Sequence, residues 1–187
     1  MGEAAERLRF TREEYLAWEA QQPDRNEYVA GEIFAMVGVR QIHATVALNI
    51  ASELKQQLKG KPCRPFMSDM KLQIYAADAF YYPDIMVTCD ERDRKADLYL
   101  EHPVLIVEVL SESTASYDMG MKFEYYRLIP ELREYVLVDP ERLKIWLYRK
   151  NLADEWVLHD FPNNEDVVFE SIACRLNQKD VFEGVAL

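Results

Sequence analysis

Residues 103–110 read Pro-Val-Leu-Ile-Val-Glu-Val-Leu, an apolar run opened by a proline and interrupted by a single glutamate, Glu108. A short run this apolar is characteristic of a strand buried on both faces, and a proline is tolerated at the first residue of a strand. Side chains alternate along a strand, so Glu108 shares one face with Val104, Ile106 and Leu110. A lone carboxylate in that setting costs several kcal/mol unless it is protonated, paired or bound to a cation. Residues 83–89, Pro-Asp-Ile-Met-Val-Thr-Cys, repeat the pattern and set Asp84 the same problem one residue into its own strand. If the two strands are neighbours, the two acids converge. Each also has an ordinary structural explanation: Glu108 hydrogen-bonded to a buried tyrosine or paired with Arg127 or Arg133, and Asp84 capping a turn at the strand edge.

Outward from these strands the period changes. Met70, Leu72 and Ile74 alternate with Lys71, Gln73 and Tyr75, as in a half-exposed strand. After Glu108, Ser113 or Thr114 can cap a helix running to about Leu128, with Met119, Phe123 and Tyr126 spaced to pack inward. Asp118, Lys122 and Tyr126 recur every fourth residue and so share one helical face. Lys122 is therefore the candidate cation near the two acids, its alternative being a solvated surface lysine. Residues 135–138 read as a strand, with residues 143–148 as its hairpin partner across Asp139-Pro140.

Residues 41–59 are the clearest helix. Ile42, Val46, Leu48, Ile50, Leu54 and Leu58 give it a broad apolar face, and Gly60 with Pro62 ends it. Residues 27–37 read as two short strands joined at Ala30-Gly31. Thr11 and Glu14 form a capping box for a short helix that carries Tyr15, Leu16 and Trp18 and stops before Pro23. From Trp156 onward the expectation is one more strand pair and a short terminal turn. The element order predicts an α/β (α+β) fold, a mixed sheet flanked by helices. One domain is expected over residues 1–187, with its core at about 25–150 and residues 151–187 appended.

A hydrophobic share of 49% and a charged share of 29% suit one globular domain of 187 residues. No run reaches the roughly 18 apolar residues of a membrane span. The N-terminal residues 1–10 lack the apolar region of a signal peptide, so the expected location is cytoplasmic. Cys63, Cys89 and Cys174 form no CxxC pair; Cys89 reads as a buried free thiol, in keeping with a reducing cytoplasm. The net charge of −11 weighs against a nucleic-acid partner, because phosphate neutralisation dominates such affinity. An acidic chain can still act on DNA if metal ions neutralise the site and a basic patch faces the groove. Arg92-Asp93-Arg94-Lys95 and the group Lys55, Lys59, Lys61 and Arg64 could supply one, or could be merely solvated surface. There is no GxSxG, P-loop, GxGxxG or HExxH motif. The histidines, at 43, 102 and 159, are scattered, and His43 in the first turn of the long helix reads as a packing or capping residue.

Pro83-Asp84 followed by Glu108-Val-Leu110 resembles the PD-(D/E)xK nuclease superfamily, and more closely its Uma-two family of restriction-endonuclease-like proteins. The match is carried, in order, by FTREEYLA from Phe10, Glu27 to Glu32, Pro83 to Val87, Val107 to Thr114, Asp118 to Lys122, Tyr126, and Glu134 to Asp139, over residues 10–150. The resemblance implies a restriction-endonuclease-like core in which Asp84, Glu108 and the backbone carbonyl of Val109 bind Mg²⁺ or Mn²⁺, with Glu27 as a further acidic residue. It implies metal-dependent hydrolysis of DNA phosphodiesters, water attacking phosphorus in line, with a lysine orienting the water or stabilising charge, and a homodimer that cuts two strands with two sites. The motif's lysine position is Leu110 here, and Lys122 is the substitute on the following helix. Glu112 stands where similar sequences carry proline, adding negative charge near the phosphate path. The competing expectation, motivated by the −11 charge and the displaced lysine, is a non-catalytic interaction or nucleic-acid-binding protein that keeps the fold.

Overall fold

The computed structural model describes residues 9–36, 38–112, 114–162 and 165–185. Val37, at the end of the expected strand pair, and Ser113, one of two expected helix caps, lie outside them.

Helix α1 (Arg12–Glu19) opens on the expected capping box, Thr11 accepting from the Glu14 amide while Glu14 accepts from the Thr11 amide. Strands β1 (Asn26–Val29) and β2 (Glu32–Ala35) follow. Both turn residues between them, Ala30 at φ 48° and Gly31 at φ 93°, are left-handed, which matches the twist of a tight hairpin. Helix α2 (Gln41–Gln57) comes next, then β3 (Arg64–Met67), β4 (Lys71–Ile74), β5 (Ala79–Tyr81), β6 (Ile85–Thr88), β7 (Tyr99–Leu100) and β8 (Pro103–Val109). A helical segment runs through α3 (Ala115–Tyr117), a π-helical turn (Asp118–Lys122) and α4 (Phe123–Tyr126). The chain continues with β9 (Glu134–Asp139), β10 (Lys144–Lys150), β11 (Trp156–Asp160), β12 (Asp166–Phe169), β13 (Cys174–Asn177) and α5 (Gln178–Val181).

The class is the expected one, but the strands divide among the described residues into two sheets and a hairpin. The central sheet has the order β11-β10-β9-β8-β6-β3, and the second has β2-β1-β5-β4-β7. In the central sheet only β8 and β9 run parallel, as a strand–helix–strand crossover requires, and the helical segment 115–126 makes that crossover. Alternation along β8 sends Leu105, Val107 and Val109 to one core, shared with α2 and the β12–β13 hairpin. It sends Ile106 and Leu110 to the other, shared with Tyr126 and the second sheet. Residues 156–181 are thus woven into the fold: β11 extends the central sheet, and Val167, Phe169, Leu176 and Val181 fill the first core.

Three expectations need correction. Asp84 lies in the bend just before β6, not within the strand. On α2 the buried stripe is His43, Val46, Ala47, Ile50, Ala51 and Leu54, whereas Leu48 is 60% exposed; on the crossover helix Met119 is likewise exposed. Cys89 is not a free thiol but is bonded to Cys63. The antiparallel pairing of Arg64 with Thr88 brings residues 63 and 89 opposite each other, a meeting hidden by 26 residues of separation. Cys174 is the free, buried cysteine. With that bridge, the argument from unpaired thiols to a reducing cytoplasm loses its premise. Opening the bridge, by reduction or by replacing both cysteines with serine, is expected to cost about 3 kcal/mol, from the entropy of the loop it closes. Urea unfolding with and without reductant measures this, and a change below about 1 kcal/mol would mean that other contacts hold the loop.

Candidate active site

Strands β6 and β8 pair directly, with Ile85 opposite Val107. Asp84 and Glu108 therefore meet at the mouth of the sheet. The Asp84 amide donates to Glu108 Oε2 at 3.2 Å, and the Val109 amide donates to Asp84 Oδ2 at 2.8 Å. On the crossover helix the widened π turn presents both of its charged residues to this point, and a π turn inside a helix is a recurrent mark of functional sites. Lys122 Nζ lies 3.2 Å from Glu108 Oε1, 3.3 Å from Glu27 Oε1 and 3.5 Å from Asp118 Oδ1. The Tyr126 hydroxyl donates to Glu108 Oε1 at 2.7 Å, and Tyr135 from β9 donates to the Asp118 carbonyl at 2.9 Å. His43, from the first turn of α2, reaches Asp84 Oδ2 with Nε2 at 3.2 Å. Its Nδ1 is buried without a hydrogen-bond partner among the described residues.

The electrostatics are those of several acids around one ammonium. Burial pushes Glu108 up to about 8, with Asp84 and Asp118 adding to the rise and Lys122 opposing it. Burial likewise raises Glu27 and Asp118 against the pull of Lys122. Burial alone would lower Lys122, but Glu108, Glu27 and Asp118 outweigh it and hold the ammonium well above its ordinary value. For His43 burial works against the proton, but hydrogen bonding to Asp84 and to the Val109 backbone outweighs it, so the net shift is upward. The arrangement differs from the chain's structural buried acids. Glu134, fully buried, accepts from Arg149 at 2.8 Å, from the amides of Glu170 and Ser171, and from the Ser171 hydroxyl. Glu19, also buried, accepts from the Asn26 amide and side chain and from Tyr82. Glu108 instead opens onto a cleft of about 440 Å³ whose wall includes Glu27, His43, Asp84, Val109, Asp118 and Lys122.

The family model described as "Uma2: Putative restriction endonuclease" matches residues 12–176. The chain belongs to the Uma2 family. Among its relatives, "Uncharacterized protein slr1290" of Synechocystis sp. (strain ATCC 27184 / PCC 6803 / Kazusa) is 36% identical over 93% of this chain and 92% of that protein. A second protein of the same organism, "Uncharacterized protein sll1609", is 34% identical over 86% of this chain and 92% of its own length. A crystal structure of "a putative nuclease belonging to DUF820" from Anabaena variabilis ATCC 29413 superposes with a TM-score of 0.75 at 21% identity, covering 95% of this chain and 99% of that one. The fold is therefore that of a restriction-endonuclease-like protein.

Within this Uma2 chain, Asp84, Glu108, Lys122 and Glu27 converge on the cleft, and Val109 borders it. Among the described residues neither arginine offered as a structural partner of Glu108 pairs with it: its ion pair is with Lys122, and Arg127 lies over the Phe123 ring. The tyrosine of that alternative is Tyr126, which does bond Glu108, but together with Lys122 rather than in place of an ion. Glu112, which stands where similar sequences carry proline, lies on the cleft wall. His43 is the residue that reading the sequence undervalued. Its signal was present: it stands three, four and seven residues before Val46, Ala47 and Ile50, on the buried stripe and not on the solvent face. Of the two basic segments, the first is mostly taken up by pairing, because Arg92 binds Asp90 and Glu131, Arg94 lies beside Glu91 and Asp93 is buried against His102, which leaves Lys95 alone outside an ion pair among the described residues of that segment.

The donor set suits a hard divalent cation. Among the described residues no three His, Cys, Asp or Glu side chains close a cage by themselves. Magnesium does not require one, since it takes one or two carboxylates and completes its octahedron from water and substrate phosphate. Two adjoining carboxylates and a backbone carbonyl, all oxygen donors, are of that kind.

Proposed function

We propose that this chain is a metal-dependent endonuclease that hydrolyses DNA phosphodiester bonds at the Asp84–Glu108 cleft. The observation that carries the reading is the meeting of these two acids, from neighbouring strands, with the buried ammonium of Lys122. Asp84, Glu108 and the Val109 carbonyl would hold Mg²⁺ or Mn²⁺, with Glu27 at the rim of the set. When bound, the cation supplies Lewis acidity and neutralises charge on the phosphodiester. The chain's own residues do the rest. The Val109 amide and His43 fix one oxygen of Asp84, so that the carboxylate is oriented before any ligand arrives. Lys122 is held charged by its neighbours and can donate to a phosphoryl oxygen as negative charge builds there. Two copies acting on opposite strands would complete a double-strand cut, and sedimentation with and without duplex would detect the dimer.

The test is nicking of supercoiled plasmid by purified protein in Mn²⁺, together with calorimetry of Mn²⁺ binding. Cleavage with binding supports the proposal. Binding of DNA without cleavage and without metal uptake favours a non-catalytic protein that keeps the fold, a reading motivated by Lys122 already occupying Glu108. Metal uptake should depend on pH. Burial raises Glu108 to about 8, so below that pH a proton competes with the cation for its oxygens. Affinity should fall as pH drops from 8 to 6, by up to about tenfold per unit, with proton release on binding. A flat profile across that range would mean that Glu108 is not a ligand.

A further inference from the structure

Net charge hides where the unpaired cations lie. Arg12, Arg25, Arg40, Arg92, Arg94, Arg142, Lys144, Arg149, Lys150 and Arg175 each sit beside an acid. Lys55, Lys59, Lys61 and Arg64 form no ion pair among the described residues, which is true also of Arg9, Lys71, Lys95, Arg127, Arg133 and Lys179, but these four are all exposed and together line a second cleft of about 800 Å³. Among the described residues no acid lines it. Lys55 in the last turn of α2, with Lys59 just beyond, complements the helix dipole. That accounts for neither Lys61 in the following loop nor Arg64 on β3. The Cys63–Cys89 bridge pins the segment between them to the central sheet, so the cations are held as a group.

The two clefts occupy opposite ends of one helix. His43 at the start of α2 faces Asp84, and Lys55 lies twelve residues further on, about 18 Å along the axis. The exposed stripe between them is Gln41, Ala44, Leu48 and Ser52, which carries no acid in a chain with 33 of them. Successive phosphates on one DNA strand are about 3.4 Å apart along the duplex, so 18 Å is about five base pairs.

We infer that the basic cleft at the C-terminal end of α2 anchors the sugar–phosphate backbone of a DNA duplex about five base pairs from the bond at Asp84 and Glu108. This rests on the endonuclease reading and extends it from a reaction centre to a bound track. It also resolves the conflict between an acidic chain and a polyanionic partner, because four clustered, unpaired cations give a local attraction that the average charge conceals.

The test is fluorescence anisotropy with a labelled duplex of about 30 base pairs in metal-free buffer, titrated over a range of salt. The variant Lys59→Glu/Arg64→Glu is compared with Lys95→Glu/Lys179→Glu, which changes net charge equally at exposed sites outside the cleft. The cleft variant should bind at least about tenfold more weakly and lose about 1.8 from the slope of log affinity against log salt, two phosphates' worth. The control variant should stay within about threefold of wild type with an unchanged slope. Equal losses in both variants, or none in the cleft variant, overturn the inference. Cleavage is read separately. If wild type cuts in no metal yet binding still depends on Lys59 and Arg64, the nuclease reading fails and the docking site stands. If wild type cuts and the cleft variant binds and cuts as well as it does, the docking site alone falls.

Discussion

Replacing Glu108 with glutamine is expected to lower Mn²⁺-dependent nicking by a factor on the order of 10³ while leaving the metal-free fold standing. Removing an oxygen ligand forfeits several kcal/mol of charge stabilisation at the phosphodiester, and about 4 kcal/mol is a thousandfold in rate. The fold survives because the site already favours a neutral group at this position: burial pushes the Glu108 carboxyl up to about 8. Glutamine keeps an oxygen to accept from Tyr126 and Lys122, at the cost of an amide facing the Asp84 N–H. Its stability at neutral pH should lie within about 1 kcal/mol of wild type. The rise in melting temperature that wild type gains from millimolar Mn²⁺ should vanish. Asp84→Asn should behave alike, since asparagine can still accept from the Val109 amide. Plasmid nicking and thermal melts in the same buffers decide the matter. Full nicking by both variants would place the chemistry elsewhere.

Lys122→Met should have the opposite profile, a protein damaged before any substrate is added. The ammonium is nine-tenths buried and is shared by Glu108, Glu27 and Asp118. Removing one partner of a buried ionic cluster costs about 3–5 kcal/mol, because the charges left behind have neither water nor a counterion. The loss depends on pH with a definite sign. A carboxyl whose folded pKa is raised stabilises the fold in its protonated form, so its contribution is present at low pH and is lost as pH rises through the window from its unfolded value, 4.5 for Glu108, to about 8. Without Lys122 the three acids lose their opposing charge and this penalty grows, so the defect should be largest above neutrality and shrink on acidification. Divalent metal should restore part of the stability at pH 8, since a cation that binds only the folded chain takes over the neutralisation. Cleavage, measured where the variant is folded, should fall about 10²- to 10³-fold for loss of a charge-stabilising donor. A variant as stable as wild type at pH 8 would mean that the acids are neutralised by protons alone.

What was legible in the sequence follows from the range of the interaction concerned. The capping box at Thr11 and Glu14, the turn at Ala30-Gly31 and the terminators of α2 depend on residues a few positions apart, and each forms as read. The anomaly of Glu108 was equally local, an acid on a face otherwise apolar. What escaped was set by pairing across the fold. Nothing near Cys63 or Cys89 announces a bridge, because strand register alone makes them neighbours. Leu48 was assigned to the core by hydrophobicity, yet the helical period gives its place to Ala47 and Ala51, small enough to lie close against the sheet. Division of the strands between two sheets likewise depends on tertiary pairing. His43 illustrates the middle ground: its period marks it as buried, but only the chain's path across β6 and β8 reveals that Asp84 is what it meets.

The π turn at Asp118–Lys122 gives the crossover helix an unusual tolerance of a change in length. Such a turn is wound one residue wider than its surroundings, so the segment holds a surplus residue that regular winding would expel. Deleting Gly120, whose missing side chain would meet nothing within 4 Å, should let the helix tighten. The turn's two charged residues would then sit at a three-residue spacing, about 300° of regular winding in place of about 330° in the wide turn, so the ammonium would swing by only about 30° around the axis. A deletion that would rotate everything beyond it by about 100° in a regular helix is here absorbed by the wide turn, so the ammonium stays on the face that meets the acids.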